Sequence, residues 1–264
     1  MIGAIAGDII GSAYEGRPIK TTDFPLFRES CRFTDDSVLT AAIAKAILEG
    51  TSYFSAVKEI GRRYPNAGYG GTFIHWLFSE SSEPYNSWGN GSAMRVSPVG
   101  FAFDSAERVL DEAAKTAEIT HNHPEGIKGA QAIALAVFLA RTGQTKSKIR
   151  ESIQSKFKYD LGRTVDQIRP GYRFDVSCQG SVPESIIAFL DSTSFEDAVR
   201  KAVSLGGDSD TMACMAGSIA EAYYGGVPRD IVKTVRAFLT DDLWDITSAF
   251  CARYYDLSIK VLDD

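Results

Sequence analysis

Three acidic segments carry most of the reactive groups of this chain. Thr34-Asp35-Asp36-Ser37 stands directly before a strongly apolar stretch, and Gly206-Gly207-Asp208-Ser209-Asp210-Thr211 stands before another. Asp8, Ser12 and Glu15 fall at i, i+4 and i+7, so a helix through them puts all three on one face. Each segment has a plain structural account. A threonine N-cap with acids in the first turn complements the helix dipole, and a polar face can simply meet water. Brought to one place, however, they supply five or six oxygen ligands without any His or Cys. Without a cation such a group repels itself by an energy on the order of several kcal/mol. Oxygen-only donor sets suit Mg²⁺, Mn²⁺ or Ca²⁺ and argue against zinc or copper.

Two further loops could meet an anionic ligand. In Ser87-Trp88-Gly89-Asn90-Gly91-Ser92-Ala93-Met94-Arg95 the Asn-Gly step, flanked by further small residues, permits left-handed backbone that exposes successive N–H groups as an anion-binding nest. Arg95 is then a charge partner and Trp88 an aromatic face, although an ordinary turn has the same composition. Gly68-Tyr69-Gly70-Gly71 is a second loop of this kind. Thr120-His121-Asn122-His123-Pro124 holds two of the three histidines. No cysteine or third histidine stands near to complete a zinc site, which leaves a ligand-contacting histidine or a helix-capping one.

The elements that must position these groups read almost entirely as helix. Residues 37–49 carry Ala, Ile and Leu at helical spacing and stop at Gly50, a natural C-cap. Segments 53–64, 105–118, 126–141, 147–157, 184–190, 195–204, 211–224, 228–239 and 243–255 behave alike. Gly3, Gly7 and Gly11 fall four apart, so a helix there has a bare stripe against which another backbone can pack closely. Residues 172–176 are too short to establish a strand, and 66–71 and 79–92 read as loops. The pattern predicts one all-α domain over residues 1–264.

Composition sets outer bounds. With 44% hydrophobic and 23% charged residues the chain is neither disordered nor fibrous. No apolar run approaches the roughly 20 residues a membrane span needs. The opening MIGAIAGDII lacks a basic leader, and Cys31, Cys178, Cys214 and Cys251 form no CxxC pair. Free thiols and a cytoplasmic location are therefore expected. A net charge of -6 disfavours general nucleic-acid binding, so any anionic ligand must be held by local features.

In chain order, GDIIGSAYE, FTDDS, GNGSAMR, THNHPEGIKGA and GGDSDT resemble the ADP-ribosylglycohydrolase family, and these motifs run from residue 7 to residue 211. The resemblance implies a compact all-α domain of orthogonally packed helices with two divalent cations, Mg²⁺ or Mn²⁺. It implies metal ligation by Thr34, Asp35 and Asp36 from one motif and by Asp208, Asp210 and Thr211 from the other. Glu15 matches a glutamate beside the metals; it, or a metal-bound aspartate such as Asp35 or Asp36, would serve as general base or proton shuttle. Ser87, Trp88, Gly89, Asn90 and Gly91 match the loop that holds the diphosphate of ADP-ribose, with Ser92 and Met94 of the same segment on the ligand. His121 matches a ligand-contacting histidine, and Gly68, Tyr69 and Gly70 a loop near the distal ribose. The implied activity is hydrolysis of the C1″ glycosidic bond of ADP-ribosylated protein or peptide side chains, serine or arginine, releasing ADP-ribose. GDIIGSAYE is more similar to serine-type than to arginine-type members. No membrane partner is implied, and a monomer is expected. Alternatives are a hydrolase of ADP-ribosylated nucleic acid or small ADP-ribose conjugates, or a non-catalytic ADP-ribose-binding member. The intact acids and Glu15 argue against the last.

Overall fold

The computed structural model describes residues 1–255, and among them there are fifteen helices and no strand. The first eight are α1 (Ile2–Ser12), α2 (Asp35–Glu49), α3 (Tyr53–Arg63), α4 (Gly71–Phe78), α5 (Gly91–Met94), α6 (Ser97–Ala102), α7 (Ala106–Glu118) and α8 (Pro124–Arg141). The rest are α9 (Lys146–Phe157), α10 (Val165–Ile168), α11 (Cys178–Leu190), α12 (Phe195–Ser204), α13 (Ser209–Tyr224), α14 (Arg229–Phe238) and α15 (Asp241–Tyr254). The main apolar cluster runs from Met1 to Phe250 and draws on helices from both ends of the chain. No helix among the described residues is long and apolar enough to cross a membrane. All four cysteines are free and buried.

The glycine stripe decides how the centre packs. Every residue of α1 is buried. A Cβ at Gly3 would lie 2.5 Å from the Gly217 carbonyl oxygen, at Gly7 2.0 Å from that of Ala213, and at Gly11 2.4 Å from that of Ser209. These partners run backwards along α13, so the two helices are antiparallel and touch backbone to backbone. The C-terminal end of α1, and Glu15 just beyond it, is thereby set beside the acidic start of α13.

Helix α2 begins where its sequence says it should. Thr34 is extended (φ -121°) and its hydroxyl accepts from Asp36 N–H at 3.3 Å, and Gly50 ends the helix in the left-handed region (φ 65°). Asp8 fastens this start to α1: it accepts from Thr34 N–H (2.9 Å), the Thr34 hydroxyl (2.7 Å), Ser37 N–H (3.1 Å) and the Ser37 hydroxyl.

The structure departs from the sequence pattern at several short elements. α4, α5, α6 and α10 were not expected as helices, and α11 begins at Cys178 and runs through Pro183 rather than starting at 184. Residues 172–176 form no strand. Their end makes one isolated antiparallel bridge, Gly89 with Ser177, in which Asn90 N–H donates to Val176 C=O (2.8 Å) and Cys178 N–H to Trp88 C=O (3.0 Å). That bridge holds the Ser87–Asn90 segment in place.

Candidate active site

The acids from the front and rear of the chain meet. Carboxylate oxygens of Asp8, Asp36 and Asp210 lie within 4.8 Å of one another, and so do those of Glu15, Asp208 and Asp210. Asp210 belongs to both groups. The Thr211 hydroxyl donates to Asp36 Oδ2 (3.2 Å) across 175 positions of sequence. All but the half-buried Glu15 are buried, and no described salt bridge joins any of the five to a lysine or arginine.

The electrostatics follow from that crowding. Burial, offset in part by its hydrogen bonds from Ser37 and Thr34, lifts Asp8 to about 6. Burial and then the neighbouring Asp8 lift Asp35 to about 8. Asp36 and Asp210 are pushed well above the carboxylate range by burial and by the surrounding acids, and burial also raises Asp208. Glu15 is raised by burial and the Asp208 charge, with Arg32 pulling it back. Asp36 Oδ1 is buried with no partner at all. A cluster of hard oxygen donors, one of them orphaned and none neutralised by a protein cation, fits a divalent cation of the Mg²⁺ or Mn²⁺ kind.

All of these acids but Asp8, which lies behind them, form the floor of a cleft of about 560 Å³, within the range of small-molecule sites. Thr34, Asp35, Asp36, Asp208, Asp210 and Thr211 all reach it, as does Glu15. Its walls include Gly68 and Gly70 on one segment and Ser87, Trp88, Gly89, Asn90 and Gly91 on another, with Met94 and His121. Asn90 ties wall to floor, its Nδ2 donating to Asp208 Oδ2 at 2.7 Å. A Cβ at Gly91 would sit 3.0 Å from His121 Nε2, so glycine leaves that ring its place. His121 is buried and held neutral, its pKa driven well below the usual histidine value by burial and then by the Arg95 charge. His123 instead caps α8, its Nδ1 accepting from Glu125 N–H (3.1 Å).

Some expectations are corrected. Tyr69 does not line the cleft: its hydroxyl donates to Gly61 C=O (3.1 Å) and its ring stacks on Phe73, 5.3 Å between centroids. Ser92 is fully buried behind the wall, donating to Gly126 C=O at 2.7 Å. Next to the Ser87–Arg95 loop the left-handed residue is Asn86 (φ 55°), just ahead of it, whereas Asn90 is right-handed (φ -72°). Asn90 N–H is taken by Val176 C=O and Gly89 N–H by the Ser87 hydroxyl, so two of the N–H groups of the suggested nest are already engaged.

The cleft also has residues that the sequence did not announce. Phe174 (55% exposed) and Val176 (45%) join the expected Trp88 (48%) in an apolar rim, and Arg32 stands near Glu15. Trp88 stood in a recognisable loop. Phe174 and Val176 carried no signal, because only the isolated bridge brings them beside that loop.

Comparison with known proteins places this geometry. The ADP-ribosylglycohydrolase family model matches residues 1–258. The ADP-ribosylhydrolase ARH3 of Mus musculus is 28% identical, over 92% of this chain and 88% of its own. The ADP-ribosylarginine hydrolase Tri1 of Pseudomonas putida is 28% identical over 56% of this chain and 42% of its own. A solved structure described as an ADP-ribosylglycohydrolase-related protein complex superposes with a TM-score of 0.75, covering 96% of this chain and 94% of that one at 22% identity. That last likeness is one of fold.

Proposed function

The chain belongs to the ADP-ribosylglycohydrolase family, and from that premise we propose that it is a divalent-metal-dependent hydrolase. Its reaction is cleavage of the C1″ glycosidic bond of ADP-ribosylated serine or arginine side chains, with release of ADP-ribose. The observation that carries the reading is that Asp36 and Asp208, from distant parts of the chain, line one cleft around Asp210, the acid their two carboxylate groups share. Thr34, Asp35, Asp36, Asp208, Asp210 and Thr211 are the residues that would hold two divalent cations. Those ions, when bound, supply Lewis-acid polarisation and offset the charge of the floor.

The chain's own groups account for the rest. Breaking the C1″ bond leaves the ribose carbon electron-poor, the attacking water must lose a proton, and the leaving atom must gain one. Glu15, half-buried beside Asp208 and raised by burial and that neighbour, is suited to take the proton on its carboxylate and return it to the leaving atom. Ser87–Gly91 and His121 bind the diphosphate-bearing part of the ligand away from the reacting carbon, and that binding energy fixes the ribose over the floor. Asn90, bonded to Asp208, keeps the two regions in register.

The deciding assay incubates the protein with serine- and arginine-linked ADP-ribosyl peptides in Mg²⁺, Mn²⁺ or EDTA and quantifies free ADP-ribose. Release with a divalent ion and none in EDTA is expected. Absence of release from both peptides with either ion overturns the proposal.

A further inference from the structure

Arg95 is a charged residue of the cleft wall for which the reaction just described has no use. It follows the four-residue α5 directly and is fully buried, yet it lines the cleft. Its Nη2 donates to Thr116 C=O (2.8 Å) and to Thr120 Oγ1 (2.9 Å). Its Nε and Nη1 are buried with no partner. Nor does any described salt bridge include it, whereas the guanidinium of Arg163 is paired with Glu184. Burial lowers it to about 10, so it remains a cation at neutral pH. A buried, unpaired guanidinium is costly unless something completes it.

The contact with Thr120 has a second consequence. Thr120 Oγ1 also lies 2.7 Å from His121 Nδ1. Because that oxygen accepts from Arg95, its own hydrogen is free to go to Nδ1. With that hydrogen given to Nδ1, the neutral ring carries its proton on Nε2, the nitrogen that faces Gly91 in the cleft wall.

We propose that Arg95 is the specificity-determining cation for the diphosphate of the ligand: its unpartnered Nε and Nη1 are reserved for phosphate oxygens, directly or across one water, and through Thr120 it holds His121 as an Nε2–H donor to the same group. This deepens the ADP-ribose reading and rests on it. The anionic moiety is met by a fixed positive charge and a neutral donor, in a wall whose Gly89 and Asn90 N–H groups are already engaged.

The test titrates wild type, Arg95→Met and Arg95→Lys with ADP-ribose and with adenosine in Mg²⁺, following NMR shifts so that weak binding is still read. The same samples give the histidine ¹⁵N shifts. Arg95→Met is expected to weaken ADP-ribose by roughly tenfold to a hundredfold, the ordinary worth of a hydrogen bond to a charged group, and to leave adenosine nearly unchanged. Arg95→Lys recovers part of the loss. The wild-type ring of His121 shows the Nε2–H tautomer, and Thr120→Val, which keeps the shape of the side chain, shifts it toward Nδ1–H. Equal losses for both ligands, no loss in Arg95→Met, or an Nδ1–H tautomer in wild type overturns the inference. Should Arg95→Met fail to fold, Arg95→Lys and Thr120→Val decide: unchanged discrimination between the ligands in both refutes it. Failure of wild type to bind ADP-ribose counts against the function itself, whereas equal binding by wild type and Arg95→Met counts against this inference alone.

Discussion

Asp210 is shared by both carboxylate groups on the floor, so it is the residue whose loss disturbs both at once. Asp210→Asn is expected to cut ADP-ribose release by about a thousandfold, the equivalent of the several kcal/mol that an ion and its ligands supply to a transition state. With no ion bound the crowding already drives Asp210 toward its neutral form, which the amide matches in shape and charge, so in EDTA the variant melts close to wild type. A variant as active as wild type, assayed by ADP-ribose release, sinks the assignment. The same cluster sets a pH dependence. Asp8 at about 6 and Asp35 at about 8 lie above the ordinary unfolded value, so the folded chain binds more protons than the unfolded one in that window. Stability in EDTA therefore falls as pH rises from about 4 to about 8, and a saturating divalent ion flattens the slope because it binds the deprotonated acids. Melting curves across that range check this, and a melting point that climbs with pH in EDTA contradicts it. The paired acids at 35–36 and 208–210 were legible because acids at a helix start stand out against an apolar run. The inward turn of Tyr69 and Ser92 was not, since a glycine-flanked side chain carries no signal of the direction in which it points.

At the scale of elements, the stripe on α1 could be read from three glycines, but the helix it receives could not. Nothing in Gly3, Gly7 and Gly11 names α13, more than 190 residues away. The match is a surface shape made by two distant segments. Gly7→Ala would drive a Cβ to 2.0 Å from the Ala213 carbonyl, and backbone on both sides has no room to give. The expected cost is about 3 kcal/mol or more, at the upper end of overpacking, read as a lower urea midpoint. Gly16→Ala, with nothing within 4 Å of the added carbon, is the control and should change stability little. A Gly7→Ala protein as stable as the control rules out backbone contact between α1 and α13. Helices with apolar periodicity and a clear cap, such as α2, were visible. α4, eight residues rich in aromatic and β-branched side chains, and the short α5 and α6 escaped because their helicity comes from packing rather than from propensity.

Over the whole molecule, the net charge of -6 and the acidic floor both oppose an anionic ligand at long range. The wall and floor are nonetheless tied together, because Asn90 bonds Asp208 and the Gly89–Ser177 bridge holds the segment that carries Asn90. A divalent cation on the floor would remove the repulsion that the diphosphate feels there, so the two ligands must assist each other. Linkage then demands equality: Mg²⁺ raises ADP-ribose affinity by the same factor by which ADP-ribose raises Mg²⁺ affinity, a factor of about 5 to 150 for ordinary coupling. Calorimetric titration of each ligand, with and without saturating amounts of the other, measures both numbers. Asn90→Ala, which frees Asp208 from the wall, should shrink the factor while the floor acids keep their own affinity for Mg²⁺. If ADP-ribose binds equally well in Mg²⁺ and in EDTA, the diphosphate lies out of electrostatic reach of the floor, and the two halves of the cleft do not serve one ligand.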